Sequence, residues 1–295
     1  MALAVCLGKF DAMHKGHFAL AERAATLGEP VLVSFSGMAE TLGWDDRLPI
    51  TAPSDRTRVL ALWGKKIGGP FGEFLREHAI PFKSVRELSP EAFVETLAAM
   101  GVGAVVTGEN YRFGYKAAGD VEALKMHGAA SGMQVDVVSL VPADKPSPLG
   151  LGNQVSSTRV RRALADGYIE EANALLGRQH RVVFNMSGER MAKALQFAID
   201  SDAQDVNISL DAAENQPPSD GTYTVRVLID PTDDEAISPS TADNLFTIKV
   251  SYGRIVINRE DAPKVVYARE RVVVDFHART TPRYANNTSG GSGRL

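Results

Sequence analysis

The chain has 295 residues, 44% of them hydrophobic and 23% charged, with a formal net charge of −4. That length suits about two domains with buried cores, and the slightly negative balance excludes the broad cationic face of a general nucleic-acid binder. A single cysteine, Cys6, excludes an internal disulfide and a cysteine-built metal site, and no stretch is long and apolar enough to span a bilayer.

In chain order, residues 2–7 read as an apolar strand, Gly8 as a tight turn, and residues 18–27 as a helix that Gly28 can end. Between strand and helix lies Gly8-Lys9-Phe10-Asp11-Ala12-Met13-His14-Lys15-Gly16-His17. A strand end, a turn and a helix start make the geometry of a phosphate site, because free N–H groups and the positive end of the helix dipole attract polyphosphate. His14 and His17, three apart, face one pocket if the first turn is helical. With 6 histidines and 26 glycines in the chain, an H-x-G-H pattern arises by chance about 0.01 times. The plainer reading is two histidines that cap or pack.

Further strands are predicted at residues 31–35, 83–85, 104–106 and 135–140, and helices at 56–63, 91–100 and 120–130. The helix at 91–100 has full punctuation, with Ser89 as cap, Pro90 in the first turn and Gly101 past the end. Strands alternating with helices imply a doubly wound parallel sheet whose ligand crevice lies at the carboxyl ends of its strands. The segment Thr107-Gly108-Glu109-Asn110-Tyr111-Arg112-Phe113-Gly114-Tyr115-Lys116-Ala117-Ala118-Gly119-Asp120 follows one such strand and offers ring faces and cations to a ligand. Read without a ligand, it is a structured surface loop.

Downstream, Gln154-Val155-Ser156-Ser157-Thr158-Arg159-Val160-Arg161-Arg162-Ala163-Leu164 places hydroxyls before a short helix ending near Gly167. It reads either as an ordinary N-cap or as a second anion clamp with Arg161 as a fixed, charged fork. Two phosphate-type helix starts in one chain suggest a nucleoside triphosphate.

Around residues 180–220 the character changes. Short strands at 182–184, 221–229, 245–250, 254–257 and 271–277, separated by turn-rich segments, predict an antiparallel β domain or barrel that buries faces such as Val225, Val227, Val250 and Val273. Residues 189–199 read as a helix on that domain and residues 287–293 as a disordered linker. Asp275, Glu260 and His277 read as solvated charges on half-exposed strands.

Taken in order, GKFDAMHKGH, GENYRFGYKAAGD and QVSSTRVRRAL resemble the FMN adenylyltransferase module of FAD synthetases, a branch of the HxGH nucleotidyltransferase superfamily. The resemblance covers residues 1–180. It is closest to the plant plastid type, because residues 34–44 (SFSGMAETLGW) stand where bacterial enzymes carry a proline- and histidine-containing loop. It implies an α/β fold, a doubly wound Rossmann-like parallel sheet followed by a smaller, mainly antiparallel, barrel-like β domain.

The resemblance further implies transfer of AMP from ATP to FMN, giving FAD and pyrophosphate, with Mg2+ carried by ATP phosphate oxygens and water and no protein metal ligand. His14, His17, Asn110 and Arg161 would form the catalytic set. ATP would lie on Gly8, Lys9, Phe10, Asp11, His14, His17, Ser156, Ser157, Thr158 and Arg161, and FMN on Phe35, Asn110, Arg112 and Phe113. Residues 181–285 would be a degenerate riboflavin-kinase-like domain without kinase activity, since no Pro-Thr-Ala-Asn sequence occurs and residues 205–210 are at most a remnant of its strand. Residues 286–295 would be a disordered tail. No nucleic-acid or membrane partner is expected, and the oligomeric state stays open. The strand at residue 2 leaves no room for a transit peptide, so the expectation is a mature plastid form or otherwise a cytoplasmic protein. Two alternatives remain at this point: an HxGH transferase for another acceptor such as nicotinamide mononucleotide, and a nucleotide- or flavin-binding regulatory protein without turnover.

Overall fold

The computed structural model describes residues 2–43, 45, 47–186, 205–232, 245–258 and 271–280. Its first part runs β1 (Leu3–Leu7), α1 (Lys15–Ala25), β2 (Glu29–Ser36), α2 (Met38–Leu42), α3 (Arg56–Ile67), α4 (Gly69–Gly72), β3 (Arg76–Pro81), α5 (Phe82–Val85), α6 (Pro90–Ala99), β4 (Val102–Gly108), α7 (Val121–Ala130) and β5 (Gln134–Val138). The five strands pair in parallel in the order β3-β2-β1-β4-β5. β1 is central and apolar throughout because helices cover both faces of the sheet. Ala4, Cys6, Leu32 and Val106 pack against α1 and α3 on one side. Val5, Leu7, Val33 and Val105 pack against α6 and α7 on the other. The punctuation read for α6 is present: the Ser89 hydroxyl accepts from the Ala92 amide at 3.1 Å, and Gly101 ends the helix at φ 79°.

One strand lies elsewhere than expected. Residues 83–85 belong to the helical turn α5, where the Ser84 hydroxyl donates to the Pro81 carbonyl at 2.7 Å, and the third strand is β3. Among the described strands β3 pairs with β2 alone and leaves Arg76, His78 and Ala79 exposed, so backbone pairing and the Glu77 bond to Arg56 (2.6 Å) hold it without the apolar pattern that marks a strand in sequence.

The second part contains α8 (Ser157–Ala165), α9 (Ile169–Leu176), β6 (His180–Asn185), β7 (Asp205–Ser209), β8 (Gly221–Ile229), β9 (Phe246–Ser251), β10 (Arg254–Asn258) and β11 (Arg271–Arg279). These strands form an antiparallel sheet in the order β6-β11-β8-β9-β10-β7, and a bridge between Phe184 and Ala213 joins the first strand to the segment after β7, which curves the sheet towards a barrel. The chain is thus an α/β protein with a parallel and an antiparallel sheet. Inside the curve, Phe184, Tyr223, Val225, Val250 and Phe276 share one core with Val160 and Leu164 of α8 and with Ile169 and Leu175 of α9. Helix α8 therefore rests on the β sheet. Val273 points to the other face, against Ala52 and Val183.

Asp275 is not solvated. It is 6% exposed and binds Arg181 with both oxygens, at 2.6 and 2.8 Å. A carboxylate can be buried when a guanidinium fork neutralises it, and the sequence pattern of β11 does not reveal a partner 94 residues away. The helix expected at 189–199, Glu260 and the expected linker and tail beyond residue 285 lie outside the described residues.

Candidate active site

Strand order in the parallel sheet reverses between β1 and β4, so the crevice at their carboxyl ends is the topological switch point. The first motif leaves β1 there, and the 107–120 segment leaves β4.

The first loop is held in a strained shape. Phe10 and Met13 adopt φ 49° and 47°, a left-handed region that costs a non-glycine residue about 1–3 kcal/mol. Each carbonyl from Phe10 to Met13 is occupied: Arg56 donates to Phe10 O (3.0 Å), the Thr51 amide to Asp11 O (3.0 Å), the Thr51 hydroxyl and Arg178 to Ala12 O (2.9 and 3.0 Å), and Arg178 to Met13 O (2.6 Å). This framework presents the helix start in one orientation. His14 caps α1, its Nδ1 accepting from the His17 amide at 3.2 Å, and as Nδ1 is the acceptor, the proton of the neutral ring sits on Nε2. Gly16 lacks a side chain because the His14 ring lies over it; a Cβ there would sit 3.1 Å from Cε1.

The imidazoles of His14 and His17 stack at 3.7 Å with an 11° interplanar angle, and Phe10 packs edge-on against His17 at 5.0 Å. Phe10 is fully buried, so its side chain supports the histidine rather than a ligand. Burial pushes His14 down to about 4, with Arg178 adding to the effect. His17 is pushed well below its ordinary value by burial, then by competition with His14 for a proton and by the charges of Arg56 and Arg178. Both rings are neutral N–H donors at pH 7. The His17 Nδ1 is buried and has no hydrogen-bond partner among the described residues.

The second motif reaches the first through Arg161. Its Nη2 donates to Asp11 Oδ2 at 2.7 Å, and its Nη1 to Leu48 O at 2.9 Å and Gln216 Oε1 at 2.6 Å. Ser156 caps α8, accepting from the Arg159 amide at 3.2 Å, while Ser157 and Thr158 form the first turn of that helix. Arg159 is 3% exposed and pairs with Glu171, so of the two arginines it holds the fold and Arg161 faces the site.

Gly8, Lys9, Phe35, Asn110, Arg112 and Phe113 line a single cavity of about 520 Å³, together with Phe82, Phe93, Tyr111 and Tyr115. That volume and aromatic wall suit a flat heteroaromatic ligand. Phe113 is 5% exposed and stacks with Tyr111 at 6.0 Å, so it contributes the cavity's base. Phe113 and Gly119 exchange backbone bonds of 3.1 and 2.9 Å, which folds the third motif into a small hairpin over that ring. A larger open cleft of about 870 Å³ between α3 and β3 contains no residue of the three motifs.

Sequence reading did not single out Arg56, Thr51, Arg178 or Gln216. Arg56 and Arg178 act on backbone carbonyls, a role with no spacing signature. A partial signal existed for Arg178, a cation just after the helix-ending Gly177.

A family model for FAD synthetase matches residues 1–158. The chain is similar to "FAD synthetase 2, chloroplastic" and "FAD synthetase 1, chloroplastic" of Arabidopsis thaliana, at 39% and 41% identity over 80% and 76% of its length. It spans 63% of the length of each of those relatives. It is also 31% identical to the bifunctional riboflavin kinase/FMN adenylyltransferase of Pseudomonas fluorescens, over 76% of this chain and 68% of that one. A crystal structure titled macrolide-efflux protein, from Streptococcus pneumoniae, shares the fold with a TM-score of 0.68 at 22% identity, over 97% of this chain and 89% of that one. The family match and the order of the three motifs around the switch point agree: the chain belongs to the FAD synthetase family.

Proposed function

We propose that this chain transfers the AMP part of ATP to FMN. An oxygen of the FMN phosphate bonds to the α-phosphorus, the bond from that phosphorus to the bridging oxygen breaks, and pyrophosphate leaves with the electron pair. With a second pKa of about 6, the attacking phosphate is mostly dianionic at neutral pH. No general base is needed, and catalysis rests on alignment and charge stabilisation.

The observation that carries this reading is the meeting of three parts around one short loop. Gly8 and Lys9 edge the aromatic cavity, Asp11 holds Arg161, and His14 and His17 open the helix. In this reading the two neutral imidazoles donate to α- and β-phosphate oxygens. Arg161, with Ser156, Ser157 and Thr158, grips the triphosphate, Lys9 adds charge, and Asn110 orients the phosphates. Phe35, Arg112 and Phe113 lie on the flavin side. Among the described residues no three His, Cys, Asp or Glu side chains converge into a metal cage, and the donor set fits Mg2+ that arrives on ATP and keeps phosphate and water ligands.

Residues 1–180 form the transferase part in this account and residues 181–285 a β part without riboflavin kinase activity, since the chain lacks the Pro-Thr-Ala-Asn sequence. The naming of both Arabidopsis relatives as chloroplastic supports a plastid location, and no described helix is long and apolar enough to cross a membrane. The test is incubation with MgATP and FMN, nicotinamide mononucleotide or riboflavin, with products resolved chromatographically. FAD is expected from FMN, with no adenylylated nicotinamide and no FMN from riboflavin.

A further inference from the structure

We propose that Gln216, supplied by the connection between β7 and β8 in the β part of the chain, is a positioning residue for Arg161, so that this connection completes the transferase site. This rests on the reading of Arg161 as an ATP ligand. The Gln216 amide meets Arg161 twice: Oε1 accepts from Nη1 at 2.6 Å and Nε2 donates to the Arg161 carbonyl at 3.1 Å. A guanidinium only donates and a carbonyl only accepts, so the two partners fix which way the amide faces.

The backbone of Gln216 is anchored equally well. Its amide donates to Pro49 O at 2.8 Å, and its carbonyl accepts from His180 Nε2 at 2.7 Å. The preceding Asn215, fully buried, donates to Ile50 O (2.9 Å) and Arg181 O (2.7 Å) and accepts from the Val183 amide (3.1 Å). Residues 215–216 thus bind β6 on one side and residues 49–50 on the other. Ile50 in turn donates to Asp11 Oδ1 at 3.1 Å, the carboxylate whose other oxygen holds Arg161.

A long arginine side chain is otherwise free to sample many rotamers, and fixing it before the ligand arrives removes that entropy cost from binding. Asp11, Leu48 and Gln216 take three of the guanidinium's N–H groups. The remaining donors are left for an anion. The β part is in this account a structural component of the nucleotide site and needs no chemistry of its own.

A double-mutant cycle on the full chain tests this, using Gln216→Met, which keeps length and loses both amide bonds, Arg161→Ala, and the pair together. Calorimetry gives the MgATP affinity and steady-state FAD formation gives kcat and the two KM values. Loss of the charge-assisted bond is expected to weaken MgATP, and raise its KM, by about tenfold. KM for FMN should stay within about twofold and the thermal midpoint within about 3 °C. The double variant should bind MgATP no more weakly than Arg161→Ala alone. Wild-type affinity in Gln216→Met, or losses that add in the double variant, overturns the proposal. Should the Met variant not fold, Gln216→Glu, which sets an oxygen against the Arg161 carbonyl and pairs the guanidinium with a competing carboxylate, carries the same expectation. Wild-type protein that binds MgATP without forming FAD refutes the transferase reading alone; one that binds no MgATP removes both.

Discussion

Arg161 Nη2 lies 2.7 Å from Asp11 Oδ2, closing a contact between residues 150 positions apart and joining helix α8 to the loop that leaves the first strand of the parallel sheet. The same carboxylate receives the Ile50 amide through Oδ1 at 3.1 Å.

Asp11→Ala removes both bonds, taking one of three holds from the Arg161 guanidinium and leaving the Ile50 amide without its acceptor. FAD formation should lose about tenfold to a hundredfold in kcat/KM for ATP. Asp11→Asn, which keeps an oxygen for Ile50, should lose less. Steady-state kinetics decide it, and an unchanged kcat/KM in Asp11→Ala would show that Arg161 is placed without this residue.

His17→Ala should act mainly on turnover. A donor directed at a transferring phosphoryl group gains most as charge shifts in the transition state, and losing one such donor lowers kcat by about two to three orders of magnitude. Calorimetric MgATP affinity should change far less. A variant with wild-type kcat and only a raised KM would move His17 out of the transition-state contacts.

Stability should fall with acid before the carboxylates titrate. His14 and His180 are each pushed down to about 4 in the folded chain, by burial first, whereas the unfolded chain takes up those protons near pH 6.5. Below pH 6.5 the unfolded state therefore binds more protons than the native state. The stabilisation is complete above that pH and is lost towards pH 4, by about 3 kcal/mol for each group. Urea unfolding at pH 7.5, 5.5 and 4.5 checks the slope; a flat midpoint over that range would mean that these rings protonate freely in the native protein.

The parallel sheet was legible because β1, β2 and β4 are apolar runs bounded by glycine and helix caps. The first motif was legible because strand, turn and H-x-G-H stand together in eleven residues. What escaped was set by pairing across long separations. β3 shows no apolar alternation because Arg76, His78 and Ala79 are exposed and Glu77 is spent on Arg56, and Asp275 looks solvent-exposed until Arg181 is beside it. Arg56, Arg178 and Gln216 hold backbone groups of distant segments, and no local pattern encodes such a partner. Phe10 was expected against ATP from its place in the motif, but its side chain supports His17 from beneath.

The buried Arg181–Asp275 pair makes a separate prediction for stability. Asp275→Ala takes the bidentate carboxylate away from the 4%-exposed Arg181 side chain, whose contact to Asp55 is longer, at 3.4 Å. Removing one partner of a buried pair destabilises by about 3–5 kcal/mol. Equilibrium urea unfolding should show that loss, while kcat of the folded fraction stays near wild type. A destabilisation below about 1 kcal/mol would indicate that water reaches Arg181.

The proposed reaction is adenylyl transfer to FMN at the switch point of the parallel sheet. It is tested most directly by incubating the full chain with FMN and MgATP and following FAD and pyrophosphate together, with His17→Ala as control. The two products are expected in equal amounts, with formation reduced by about two to three orders of magnitude in the variant. No FAD above a heat-inactivated sample, or equal rates from wild type and His17→Ala, would contradict it.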